Sequence, residues 1–266
     1  MAIETTKHYG GAIELNFEHV KHSYKVHGVA PDGTVYKNEK FLGVTTPLGV
    51  INKPGLKYWS INQVVGYIDD NLSIGKVVDE IQKIELLNGA KKAPWASLDK
   101  AAGIGTVFHQ WIEDYINGKK PAKPTHAILK KGVQNFLKWV DEMEVEFIDA
   151  ETKVLSLKYK YAGTFDFRAT MKSDVKGKRC LTLGDIKTSS GIWDENWLQT
   201  SAYKRARLEE FPEEIIDNTT IVRCGKDGSF EAKTANNFKE NYNAFLAALY
   251  LYNHMTAMKK FEYVNH

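Results

Sequence analysis

YAGTFDFRATMKSDVKGKRCLTLGDIKTSSGIWDENWLQTSAY, residues 161–203, changes its apolar period within one continuous run. Residues 162–171 and 179–187 alternate as strands do, and Lys172-Ser173-Asp174-Val175-Lys176-Gly177-Lys178 between them reads as a hairpin turn. From Asp194 to about residue 210 the pattern is helical. Each strand carries an acid inside an apolar run: Asp166 in Gly163-Thr164-Phe165-Asp166, and Asp185 in Leu183-Gly184-Asp185-Ile186-Lys187. A buried unpaired carboxylate costs several kcal/mol unless a cation offsets it. Two acids on hairpin-joined strands suit Mg²⁺ or Mn²⁺, hard cations that take oxygen ligands. Lys187, two residues past Asp185, points to the same strand face, where the lysine would orient or deprotonate an attacking water or stabilise charge on a phosphate. The plainer alternative is an ordinary Asp185–Lys187 ion pair, with Asp166 ending a strand.

Two more features bear on that choice. Gln199, Tyr203 and Arg207 recur every four residues and share one helix face, either a solvated edge or a line of polar groups beside the acids. Upstream, Gly105-Thr106-Val107-Phe108-His109 opens a helical stripe continued by Ile112 and Ile116. His109 on that stripe is either a satisfied core histidine or a further metal ligand, and Glu113 lies one turn on.

Working outward, residues 13–43 are strand-like, with turns at Pro31-Asp32-Gly33 and Lys37-Asn38-Glu39-Lys40. Thr45 or Thr46 caps a short helix with Pro47 at its first position, and Pro54 opens a longer one towards Leu72. A helix over 75–93 is expected to end at Gly89, and Pro94 to mark a border. Helices then follow over 97–117 and 125–145, and strands over 147–157, 162–171 and 179–187. The helix from 194, strands over 215–224 and 229–233 and a helix over 236–260 complete the order. Helices around a three-strand meander, with strands added after a crossover helix, predict an α/β sandwich.

With 266 residues and 43% hydrophobic content, the chain has enough apolar material for a full core. The net charge of +3 is too weak to argue nucleic-acid binding; Lys119, Lys120, Lys123, Lys130 and Lys131 form one cluster, and Lys172, Lys176, Lys178 and Arg179 another. Cys180 and Cys224 stand outside any CxxC spacing, which excludes a four-cysteine zinc or iron–sulfur site within the chain. No apolar run approaches the roughly 18 residues of a membrane span. The first residues lack a signal-peptide core and carry Glu4, Glu14 and Glu18, so no membrane partner and a cytoplasmic location are expected.

Taken in order, GTxxH, GTFD, GDIK and QTSAY over roughly residues 100–210 resemble the RecB-type branch of the PD-(D/E)XK nuclease superfamily. Residues 44–59, VTTPLGVINKPGLKYW, resemble the opening segment of phage exonucleases and the mitochondrial genome maintenance exonuclease. The resemblance implies a restriction-endonuclease-like core, a central mixed sheet flanked by helices, over 95–266, with a β/α extension over 1–94 that threads DNA. It implies a metal-dependent DNA exonuclease of phage or bacterial replication, recombination or repair, working in the bacterial host cell if phage-encoded. His109, Asp166, Asp185 and the carbonyl of Ile186 would hold Mg²⁺ or Mn²⁺; Lys187 would be the catalytic lysine, with Glu151, Gln199 and Tyr203 beside it. Thr45, Thr46, Lys53, Lys57, Tyr58, Thr106, Thr188, Ser189 and Arg207 would meet DNA, single-stranded or with a free end. Tyr58 or Trp59 would stack on a base, or both are core, the preferred reading for Trp59. Phe165 stands where the superfamily's name has proline, and no Walker motif is present, so a free-standing nuclease is implied. A recombinase or single-strand-binding protein is the candidate partner. The alternatives are a flap or branch endonuclease and a non-catalytic DNA-binding module.

Overall fold

The computed structural model describes residues 3–73, 75, 78–173, 177–225, 227–235 and 237–258, without the side chains of 98–102 and 104. Part of the expected 172–178 turn and the last residues of the C-terminal helix lie outside these. The chain divides into two compact units, residues 1–51 with 111–266, and residues 52–110. That division does not coincide with the border expected at Pro94.

The first unit is α/β, with a mixed nine-strand sheet among the described residues and helices flanking it. Strands β1 (Ile3–His8), β2 (Ile13–Glu18), β3 (Ser23–Val29) and β4 (Val35–Gly43) form an antiparallel meander. β5 (Glu146–Ser156), β6 (Tyr161–Lys172) and β7 (Arg179–Lys187) follow, then β8 (Asn218–Cys224) and β9 (Phe230–Ala235). The sheet order is β1-β2-β3-β4-β6-β7-β8-β9, with β5 on β6; β4–β6 and β7–β8 are the parallel pairs. β1, which the periodicity did not reveal, is an edge strand with exposed polar residues and no core stripe to betray it.

The arrangement of the sheet turns on β6. Ala162 pairs with Leu155 of β5 and Gly43 of β4, whereas Phe167 pairs with Ala150 of β5 and Gly184 of β7. One edge of β6 is therefore held by β5 throughout, and the other passes from β4 to β7. Between them, residues 163–166 have no ladder partner on that second edge. The Gly-Thr-Phe-Asp stretch occupies this opening.

On one face, α4 (Asp194–Glu210) and α5 (Phe238–Met258) pack Ala202, Tyr203, Ala206, Phe245 and Leu249 against Val154, Phe165 and Leu183. The other face is aromatic: Phe136 and Trp139 of α3 (Ala127–Glu142) meet Phe147 and Phe167. Alternation puts Leu183 and Gly184 on opposite faces. A Cβ on Gly184 would come within 1.9 Å of the Phe167 ring, so glycine makes room for that aromatic layer. The N-terminal strands add a third cluster, Ile13, Leu15, Phe17, Val26 and Phe41 with Leu155 and Ala162.

Polar bonds fix α4 to the strands. Arg168 of β6 binds both Asp149 of β5 and Glu214, and Glu214 also accepts from Arg207 Nε at 2.6 Å. At the end of α4, Glu210 takes His8 Nδ1 at 2.7 Å and the Tyr9 N–H at 2.8 Å. Glu209 takes Ser156 Oγ at 2.6 Å. Carboxylates at a helix C-terminus are poorly placed against its dipole, and these donors offset that.

In the second unit, α1 spans Pro54–Asn71. A single helix α2, Glu80–Ile116, replaces the two expected on either side of Pro94. Pro94 lies inside it, buried, so the helix gives up one backbone bond and continues. Gly89 does not end a helix either; a Cβ there would lie 2.1 Å from the Tyr67 hydroxyl, so it permits the close approach of α1. Trp59, expected in the core, is half-buried on α1, which has no fully buried residue. Both cysteines are free and buried. Among the described residues no helix is long and apolar enough to cross a membrane.

Replacing Arg168 by alanine leaves Asp149 and Glu214 facing each other's charge across the β6–α4 junction. The expected loss is about 2–4 kcal/mol, below a fully buried pair because both acids are partly exposed, and read as a lower midpoint in urea.

Candidate functional site

The acids gather at the opening in β6. The β5–β6 ladder runs through Ala150↔Phe167 and Thr152↔Phe165, which leaves Glu151 and Asp166 between those rungs. Glu151 takes a left-handed backbone, φ 47°, and its carboxylate and that of Asp166 offer oxygens within 4.8 Å of one another. The β6–β7 ladder stops at Phe167↔Gly184, one residue short of Asp166 and Asp185. In place of that rung, the Ile186 N–H donates to Asp166 Oδ2. Carboxylates from three adjacent strands thus share one row of the sheet. Like charges directly opposite are unfavourable in a sheet, and carboxylate oxygens gathered in this way are the donors a hard divalent cation takes.

Asp185 is 2% exposed, and its Oδ2 lies 2.5 Å from Lys187 Nζ. Burial pulls the Lys187 ammonium down, but Asp185 and Asp166 outweigh it, and its pKa stands above the ordinary lysine value. The ion pair offered as the plainer reading is therefore present, and it sits within the acid row. Glu195, in the first turn of α4, adds to the same field. Glu195 was not among the expected site residues; an acid just after the N-cap of the following helix is the only signal the sequence carries for it.

Gln199 and Tyr203 reach this row from α4. Gln199 Nε2 donates to Tyr203 Oη at 2.7 Å and lies 3.4 Å from Asp185 Oδ1. Burial raises the Tyr203 phenol well above its ordinary range, with Asp185 adding to it, so the hydroxyl stays neutral. The neutral amide orients Asp185 and the neutral phenol holds the amide, and neither adds charge. Both residues are buried, at 7% and 4% exposed, so this face is packed against the sheet rather than solvated. Arg207, the third of the series, is drawn into the Glu214 pair and stacks on Phe211 at 3.6 Å. The burial of Tyr203 has a simple cause at Gly163: a Cβ there would come 2.3 Å from the Tyr203 ring, which packs in the space a side chain would take. Tyr24, also outside the expected set, bonds its hydroxyl to Thr164 at 3.2 Å on the same stretch.

Thr45 and Thr46 are exposed just after β4; Thr188 and Ser189 are half-buried in the loop after β7, where Ser189 Oγ donates to the Gly191 carbonyl. Ile186 is buried. In the second unit, Lys57 and Tyr58 are exposed on α1, Lys53 is half-buried just before it, and Thr106 is exposed and His109 half-buried on α2.

Gly163→Ala forces the Tyr203 ring out of the opening and is expected to cost about 1–3 kcal/mol. Combining it with Tyr203→Leu should return part of that loss. Strict additivity in urea titrations would show that the two side chains do not compete for the same space.

No family model matches the chain, and no curated protein matches it. Among solved structures it is similar to one titled "Crystal structure of SSO0001", at 14% identity and a TM-score of 0.31, over 73% of this chain and 86% of that one. So slight a likeness says nothing of fold or function.

Proposed function

We propose that the chain is a metal-dependent deoxyribonuclease with a PD-(D/E)XK core of the RecB type, acting as an exonuclease on DNA ends. The observation that supports this most is the row of Glu151, Asp166 and Asp185 on adjacent strands, with Lys187 at 2.5 Å from the last. Together with GTxxH, GTFD, GDIK and QTSAY in sequence order, it favours hydrolytic chemistry over a purely binding role.

Asp166, Asp185 and the Ile186 carbonyl would hold Mg²⁺ or Mn²⁺, with Glu151 nearby and His109 as the further ligand that the motif assigns. Such an ion, when bound, activates water and neutralises charge on the phosphodiester. Lys187 donates hydrogen bonds to the attacking water or to a phosphate oxygen, in a position fixed by Asp185. Gln199 and Tyr203 keep Asp185 oriented. Ile186, by donating its N–H to Asp166, holds the second carboxylate in register with the first. Thr188 and Ser189 lie on the loop that follows Lys187, where a DNA backbone passes on this reading, while Thr45, Thr46, Lys53, Lys57, Tyr58 and Thr106 form the remaining DNA-binding set.

The test uses linear DNA labelled at either end, together with circular single strands, in a titration of Mg²⁺ and Mn²⁺. Labelled ends should be released and the circle left intact; nicking of the circle would select the endonuclease reading instead. Asp185→Asn and Lys187→Ala are each expected to slow turnover by about 10²–10³-fold. Wild-type rates in either variant would sink the assignment, and binding without turnover would leave a non-catalytic module. Independently of turnover, calorimetric binding of Mn²⁺ should be lost in Asp166→Asn and His109→Ala. Retained binding in His109→Ala would remove the histidine from the ligand set.

A further inference from the structure

The loop joining β7 to α4, residues 188–193, ends in a tryptophan whose ring rests on Gly191, where a Cβ would come within 3.2 Å of it, and leaves its other side to solvent. Trp193 is the N-cap of α4 and stands 51% exposed. Serine, threonine, aspartate and asparagine are favoured at an N-cap because their side chains satisfy a free N–H; an indole cannot accept such a bond. Here the backbone is held from the other side: the Trp193 N–H donates to Asn196 Oδ1 at 2.8 Å, and the Asn196 N–H to the Trp193 carbonyl at 3.0 Å. The loop before it is tied as well. Ser189 Oγ donates to the Gly191 carbonyl at 2.7 Å, and the buried Arg223 of β8 donates to the Ser189 carbonyl at 3.3 Å. A large flat apolar ring is therefore presented to solvent on an anchored backbone, at a position where helix stability favours a small polar residue.

Its place in the chain gives the ring a use. The loop leaves β7 directly after Lys187, and Arg223, the ladder partner of Lys187, is the residue that holds the Ser189 carbonyl, so the anchored loop that carries Trp193 begins beside the lysine of the acid row. We propose that Trp193 stacks on a nucleobase of a single-stranded DNA end, close to the scissile phosphate. This rests on the deoxyribonuclease reading above and adds to it a preference for unpaired ends. Duplex bases hide their faces in the stack, whereas a single strand offers them to an aromatic platform.

The test separates stacking from folding by using serine, a better N-cap than tryptophan. Wild type, Trp193→Ser and Trp193→Phe are compared in EDTA by fluorescence anisotropy. The probes are a labelled single-stranded oligonucleotide and the same oligonucleotide with abasic terminal nucleotides. Trp193→Ser should keep or raise the melting temperature yet bind the intact strand about 5- to 150-fold more weakly, the span expected for one stacked base. Trp193→Phe should retain most of the affinity, and the abasic strand should bind wild type and Trp193→Ser alike. Equal affinity of Trp193→Ser and wild type for the intact strand overturns the proposal, as does a serine variant that loses melting temperature in step with affinity. If wild type cleaves DNA but Trp193→Ser binds it as well, only the stacking role falls. If wild type neither cleaves nor binds DNA, both readings fall.

Discussion

A β-strand has two edges, and each residue can give its backbone groups to one neighbour on each. β6 gives one edge wholly to β5 and divides the other, its first residues taking β4 and its later ones β7. Four residues are left between the two partners, and every feature of the candidate site derives from them. Asp166 ends that interval and receives the Ile186 N–H on its side chain in place of a backbone rung. Gly163 begins it, with the Tyr203 ring against it. Had β7 run on to fill the edge, the acid would sit in a closed ladder instead of taking the Ile186 N–H on its side chain.

The electrostatics follow the same geometry. Asp185 is almost wholly buried, and such a carboxylate persists only with partners. Lys187 supplies a full charge from the same strand, and Gln199 an amide dipole from α4. The two act differently. The lysine offsets charge and is the group a cation at Asp185 would displace or share, whereas the amide fixes orientation whatever occupies the row. The Arg168–Asp149–Glu214–Arg207 network joins β5, β6, α4 and the segment that follows α4, and so ties the helix to the strands that carry the acids.

Much of this was legible in the sequence where the signal is local. The helix over 194–210 and the strand over 179–187 stand where the periodicity puts them, because a run of alternating residues, a polar loop and an N-terminal acidic turn are all nearest-neighbour information. The α/β class followed from the order of such segments. Asp166 and Asp185 were singled out because charged residues in apolar strands are conspicuous. What depends on partners far along the chain was not legible. That Glu151 would lie across from Asp166 is a matter of ladder register, and that Gln199 and Tyr203 would be buried depends on a glycine forty residues earlier. Pro94 and Gly89 misled because each is a helix breaker by propensity, and tertiary context overrode both. Tyr24 carries no pattern of its own, and Glu195 only that of an acid in a first helical turn.

The pairing that frames one side of the opening joins Leu42 to Tyr161, 119 positions apart by subtraction, while β5–β6 and β6–β7 are neighbours in the chain. The acids therefore come together through short-range hairpins, but the edge beside Gly163 is completed only when a very long loop closes. Contacts of that separation slow folding, so the rate at which the finished site appears is set by chain topology rather than by the chemistry at its centre. Thermodynamically the same loop is forgiving. Its closure entropy grows only logarithmically, by about 0.6 kcal/mol for each doubling of length. The sheet thus tolerates a change of length within residues 52–110 at small entropic cost, so long as the residues there that the proposed site uses, His109 among them, are kept.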